Sequence, residues 1–124
     1  MVNALIIRTR PNMDHIDGIV HDLFNQFGKN VDCDIATSEK EAAQFKGNKY
    51  DLILSDRINF KFKAFSEIRE GSPGAVIIGL MGYNSISSVK ALGTDVHYYV
   101  NPLNTQSAND LRNVYLQSNL RNLN

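Results

Sequence analysis

Cysteine, net charge and long apolar runs are all scarce in this chain of 124 residues. Cys33 is the single cysteine, which excludes an intrachain disulfide and a cysteine-rich metal site. Lys plus Arg number 13 and Asp plus Glu number 13, so the formal net charge is zero. A general nucleic-acid binder carries a basic surplus, so that class is disfavoured, although a local basic patch stays open. No apolar run approaches the roughly eighteen residues of a membrane-spanning helix. The N-terminus has no secretory signal, and a cytoplasmic location follows by default. Gly-x-Ser-x-Gly, the phosphate-binding loop and Gly-x-Gly-x-x-Gly are all missing. His15 and His21 are six residues apart, the wrong spacing for one helical face, and His97 stands alone. No metal site, cofactor or catalytic residue is expected, and no nucleophile–base pair argues for an enzyme.

What is present centres on Tyr50-Asp51-Leu52-Ile53-Leu54-Ser55-Asp56. A short apolar run bounded by turn signals reads as a strand buried on both faces. Asp56 then stands at the C-terminal rim of a parallel sheet, where open α/β folds place ligands and chemistry. The plainer reading is a cap for the next segment.

The rest of the chain alternates strand and helix. Ala4 to Ile7 is a first strand, stopped by Arg8-Thr9-Arg10-Pro11-Asn12. From Asp14, the residues Ile16, Ile19, Val20, Leu23, Phe24 and Phe27 share one helical face, and Gly28 reads as the stop. Val31, Cys33 and Ile35 alternate with Asp32, Asp34 and Ala36, the pattern of an outer strand with one wet face. Ser38-x-x-Glu41 has the form of a capping box for a short helix to Phe45. Phe60, Phe62, Phe65 and Ile68 mark a third helix, ended by Gly71-Ser72-Pro73-Gly74. Ala75 to Met81 is a fourth strand. Ile86, Val89 and Leu92 mark a helix that stops at Gly93. Val96 to Val100 is a fifth strand. Ser107 is expected to cap a last helix with Leu111, Val114 and Tyr115 inside, and the tail Asn119 to Asn124 is expected to fray. Five strand–helix units give one α/β domain over residues 1–124. Its predicted core is a doubly wound, five-stranded parallel sheet with helices on both faces, flavodoxin-like in class.

Three stretches resemble the receiver domain of two-component response regulators. Tyr50 to Asp56 is similar to the family's third strand, which ends in the phosphate-accepting aspartate. Ala91-Leu92-Gly93-Thr94-Asp95-Val96-His97-Tyr98-Tyr99-Val100-Asn101-Pro102-Leu103 is similar to the fifth strand and its flanks. Pro73-Gly74-Ala75-Val76-Ile77-Ile78 is similar to the start of the fourth strand. The resemblance covers nearly the whole chain and implies a signal-transduction module. The phosphoacceptor position falls on Asp56.

The family's other site residues are replaced. Its two metal-binding acids fall on Arg8 and Thr9. Its Ser or Thr after the fourth strand falls on Leu80 or Met81. Its Lys before the proline falls on Asn101. Three carboxylates and a lysine sum to a charge of about minus two, which a divalent cation neutralises, whereas Asp56 with Arg8 sums to zero. The resemblance therefore implies a pseudo-receiver that works through protein contacts without Mg²⁺-dependent phosphorylation, with Arg8 expected to pair with Asp56. The alternative is a module binding a small anion or phosphate-bearing ligand near Arg8 and Arg10. A conventional phosphoacceptor at Asp56 is the lesser alternative. The expected partner is another signalling protein or a second copy of the chain. The family's face of fourth helix, fifth strand and fifth helix implies contacts at Ser85 to Leu92, Lys90, Tyr98, Tyr99, Arg112 and Tyr115. No membrane contact is expected, and nucleic acid only through an output domain elsewhere or a partner.

Overall fold

The structure, a computed structural model, describes residues 1–57, 63–82, 96–103 and 105–123. Its framework is a parallel sheet of five strands: β1 (Val2–Ile7), β2 (Val31–Ala36), β3 (Leu52–Ser55), β4 (Val76–Leu80) and β5 (Tyr98–Val100). The spatial order is β2-β1-β3-β4-β5. The order of strands reverses direction at β1, the switch point where such sheets leave a crevice at their carboxyl ends. The strand ends are in register there. Ile7 pairs with both Ala36 and Ser55, Ser55 pairs with Gly79, and Leu80 pairs with Val100. Arg8, Asp56, Met81 and Asn101 each follow directly, so one rim collects all of them.

Both sheet faces are covered, which is why the inner strands read as continuous apolar runs. Helices α1 (His15–Gln26) and α4 (Ser107–Gln117) pack on one face with Ala4, Ile6, Leu52, Leu54 and Ile78. Helices α2 (Glu39–Ala43) and α3 (Lys63–Gly71) pack on the other with Leu5, Ile7, Ile53 and Ile77. Each fully buried Leu or Ile contributes about 1.5–3 kcal/mol relative to exposure. The expected helix over Ile86 to Leu92, with Gly93 and Lys90, lies outside the described residues, as do Phe60 and Phe62.

The C-terminus of α1 stops as expected. Gly28 takes φ +71°. Its N–H donates to the Asn25 carbonyl and that of Lys29 to the Phe24 carbonyl, the paired bonds of a Schellman motif. Three local expectations need correction. Ser38 Oγ does accept from the Glu41 N–H at 3.1 Å, but the Glu41 carboxylate turns back one residue further, to the N–H and hydroxyl of Thr37. Ser107 is not the cap of α4. The flanking residue is Gln106, which makes no side-chain cap bond, and Ser107 is buried with no partner for its hydroxyl among the described residues. The tail does not fray through Asn122. A 3₁₀ turn over Asn119–Asn122 follows α4, and Ser118 Oγ accepts from the Leu120 N–H. Leu120 is 0% exposed, and Lys29 Nζ donates to the carbonyls of Leu120 and Arg121. An apolar anchor and a charged donor outweigh the entropy that frees most chain ends. Among the described residues no helix is long and apolar enough to cross a membrane.

Candidate functional site

Asp56 directly follows β3 and is only 3% exposed. Its N–H donates to the Ile7 carbonyl at 3.0 Å, which continues the β1–β3 ladder one step beyond the strand. Ser55 then turns the chain. Its hydroxyl accepts from the Arg57 N–H at 2.9 Å and donates to the Arg57 carbonyl at 2.7 Å. The turn holds the carboxylate under the β1–α1 loop.

That loop supplies the partners. Oδ2 accepts from the N–H of Thr9 at 2.8 Å and from the N–H of Arg10 at 2.8 Å. Oδ1 accepts from the Thr9 hydroxyl at 3.1 Å. Two successive backbone N–H groups converging on one oxygen form an anion-binding nest. Arg57 closes the rim, its Nε donating to Thr9 Oγ1 at 2.9 Å. Asn12, at φ +64°, lets the loop turn back towards α1, a conformation that asparagine tolerates better than most side chains.

The expected Arg8–Asp56 pair is not what forms. Arg8 Nε lies 3.0 and 3.1 Å from the two carboxylate oxygens of Asp17, and Nη2 lies 2.9 Å from Oδ2. Hydrogen bonding to Asp17 raises the Arg8 pKa above its usual value. The reason is geometric. Side chains alternate along β1: Leu5 and Ile7 face α2 and α3, while Ala4 and Ile6 face α1 and α4. Arg8 and Asp56 both leave their strands on the side of α1, but there the amides of Thr9 and Arg10 hold Asp56, and Arg8 pairs with Asp17 in the first turn of the helix.

The remaining rim positions carry no charge to the carboxylate. Leu80 is fully buried and Met81 nearly so, with the Met81 N–H donating to the Val100 carbonyl. Asn101, 7% exposed, is engaged by its own loop. Its amide donates to Gln106 Oε1 at 3.0 Å, its Oδ1 accepts from the Leu103 N–H at 3.1 Å, and its own N–H donates to Asp110 Oδ2 at 3.0 Å. A second tie crosses the rim. His15 Nε2 lies 2.6 Å from the Pro102 carbonyl, which can only accept, so the histidine donates.

This set does not fit a divalent cation. Mg²⁺ takes oxygen ligands in octahedral array. Here three donors already occupy most of the Asp56 carboxylate's acceptor capacity, and the N–H dipoles present their positive ends where a cation would sit. Among the described residues no group of three or more His, Cys, Asp or Glu side chains could hold a metal ion.

Of the expected outer face, Tyr98, Tyr99, Arg112 and Tyr115 are among the described residues. Tyr98 packs on the α1–α4 side of the sheet and Tyr99 on the opposite side, both half-buried, as strand alternation requires. Arg112 is exposed, its guanidinium 5.7 Å from the Phe27 ring centroid. Tyr115 is a correction: it is 2% exposed, stacked 4.2 Å from Phe27 and edge-on to Phe24 at 5.7 Å. It shares the inward side of α4 with Leu111 and Val114 and belongs to the core. Lys90 lies outside the described residues. Sequence reasoning missed Asp17, Arg57 and the His15–Pro102 tie. Only Arg57, adjacent to Asp56, carried a visible signal.

No family model and no curated protein matches the sequence. Among solved structures, the chain is similar to the REC domain of AraT, a response regulator from Geobacillus stearothermophilus. The two share 21% identity with a TM-score of 0.62, over 94% of this chain and 91% of that one. The chain thus has a receiver-like α/β fold.

Proposed function

We propose that this receiver-like domain is a signal-transduction module of two-component type that works through protein–protein contacts, without Mg²⁺-dependent phosphorylation of Asp56. The observation that carries the reading is the seat of the Asp56 carboxylate. It lies on the N–H groups of Thr9 and Arg10 and the Thr9 hydroxyl, at the rim position where a receiver keeps acids for its cation. Phosphoryl transfer to a carboxylate needs a cation to draw charge from the phosphoryl group. Here donors hold both oxygens and damp their nucleophilicity, and Arg8 is held by Asp17. Asn101 offers an amide already bonded to Gln106 in place of an ammonium. What the domain retains is the sheet and the β5 segment with its half-exposed tyrosines, which suits recognition rather than transfer.

The test is incubation with acetyl phosphate and Mg²⁺, followed by intact mass. No phosphoryl adduct is expected. A stoichiometric adduct that disappears in Asp56→Ala overturns the reading.

A further inference from the structure

We infer that Thr9 and Arg10, with Arg57 at their edge, form a binding site for a small carboxylate anion, filled in this structure by the chain's own Asp56. The site rests on the geometry around Asp56 and is independent of the signalling reading. Three donors converge: the N–H of Thr9 and of Arg10 on Oδ2, both at 2.8 Å, and the Thr9 hydroxyl on Oδ1 at 3.1 Å. Successive backbone N–H groups aimed at one point attract an anion whatever chain it comes from. The surrounding charges favour the same sign. Arg8 and Asp17 neutralise each other in a bidentate pair. Arg57 stays beside the nest through its bond to Thr9 Oγ1 at 2.9 Å. Removing the Asp56 carboxylate would therefore leave three convergent donors around a small gap of carboxylate shape, with the Arg57 guanidinium bonded to one of them, Thr9 Oγ1.

The donors are held in place by more than the occupant. The Arg8 N–H bonds to the Ala36 carbonyl at 2.9 Å, Arg8 grips Asp17 on α1, and His15 ties the start of α1 to Pro102. An emptied nest would thus persist as a site. Formate, with the chemistry of the missing group and nothing else, is the matched probe.

The experiment compares the intact chain with Asp56→Ala in formate at constant ionic strength, with chloride as the balancing salt. Formate is expected to raise the Tm of Asp56→Ala progressively with concentration, as a ligand of the folded state must. It leaves the unsubstituted chain unchanged, since the nest is occupied there. In ¹⁵N-resolved spectra of Asp56→Ala, the Thr9 and Arg10 amides are expected to shift saturably. Adding Arg57→Gln is expected to weaken formate several-fold. If Asp56→Ala is unfolded in chloride, formate must refold it, which circular dichroism reads. A folded Asp56→Ala whose Thr9 and Arg10 amides ignore formate overturns the inference. So does an unfolded one that formate cannot recover, or a chloride response equal to that of formate. A phosphoryl adduct on the unsubstituted chain would overturn the signalling reading and leave this one standing.

Discussion

Neutralising Asp56 tells two kinds of pocket apart by the sign of its effect. In a pocket crowded with carboxylates, exchanging one for an amide relieves like-charge repulsion and raises stability. Here the carboxylate faces donors: two backbone N–H groups at 2.8 Å and a hydroxyl at 3.1 Å. Asparagine keeps one oxygen, which still serves the Thr9 and Arg10 N–H groups. It places an NH₂ against Thr9 Oγ1, and the charge leaves all three bonds. A hydrogen bond to a charged group contributes about 1.5–3 kcal/mol and a neutral one about 0.5–1.5, so roughly 1 kcal/mol is lost per bond. Water reaching the exposed Arg10 edge offsets part of this, leaving an expected loss of about 1–3 kcal/mol for Asp56→Asn. In a chain of this length that lowers Tm by roughly 3–10 °C. Urea unfolding followed by circular dichroism, with an unchanged m value, is the assay. An Asp56→Asn chain more stable than its parent would refute the donor-nest account of this carboxylate.

Leu120→Ala should cost about 2–4 kcal/mol, because a fully buried side chain leaves a cavity; a cost under about 0.5 kcal/mol, the range of surface substitutions, would return the tail to the frayed state. Cys33 has its thiol pKa pushed up to about 11, mainly by burial and then by the charges of Asp17, Asp32 and Asp34. At pH 8 its thiolate fraction is roughly a hundredfold below that of an ordinary thiol, so native labelling by a thiol reagent should be slow and should accelerate in urea. Ser107→Ala should be neutral or stabilising by up to about 1 kcal/mol, since it removes a buried hydroxyl with no partner among the described residues. If the domain self-associates, Tyr98→Ala or Tyr99→Ala should shift sedimentation towards the monomer; a dimer indifferent to both places its interface elsewhere.

The sheet was legible because parallel strands buried on both faces must be written as apolar runs. Leu52 to Leu54, each fully buried, left little choice. Helix α1 was legible for the complementary reason, since a one-sided helix repeats its apolar residues at fixed spacing. The last turn was not. Leu120 and Leu123 sit in a polar tail, and nothing local shows that Lys29, ninety-one residues away from Leu120, donates to its carbonyl. Tyr115 was read both as an inward residue of the last helix and as part of a contact face, because an aromatic at a helix edge is suited to either side; the inward reading holds. Its stacking on Phe27 depends on how α1 and α4 lie together, a tertiary fact.

The site was illegible for a deeper reason. Side-chain motifs register which residues are acids, bases or ligands, and by that measure the rim retains one aspartate and little else. The groups that seat this aspartate are mainly backbone N–H, which every residue but proline carries. What makes them a nest is position: β1 ends one residue before Arg8, Ser55 turns β3 back under it, and Arg8 is drawn aside by Asp17. With Arg8 and Thr9 at the end of β1, the loop lies close enough to β3 for its own amides to reach the Asp56 carboxylate, so this rim presents donors, which suit an anion rather than a cation.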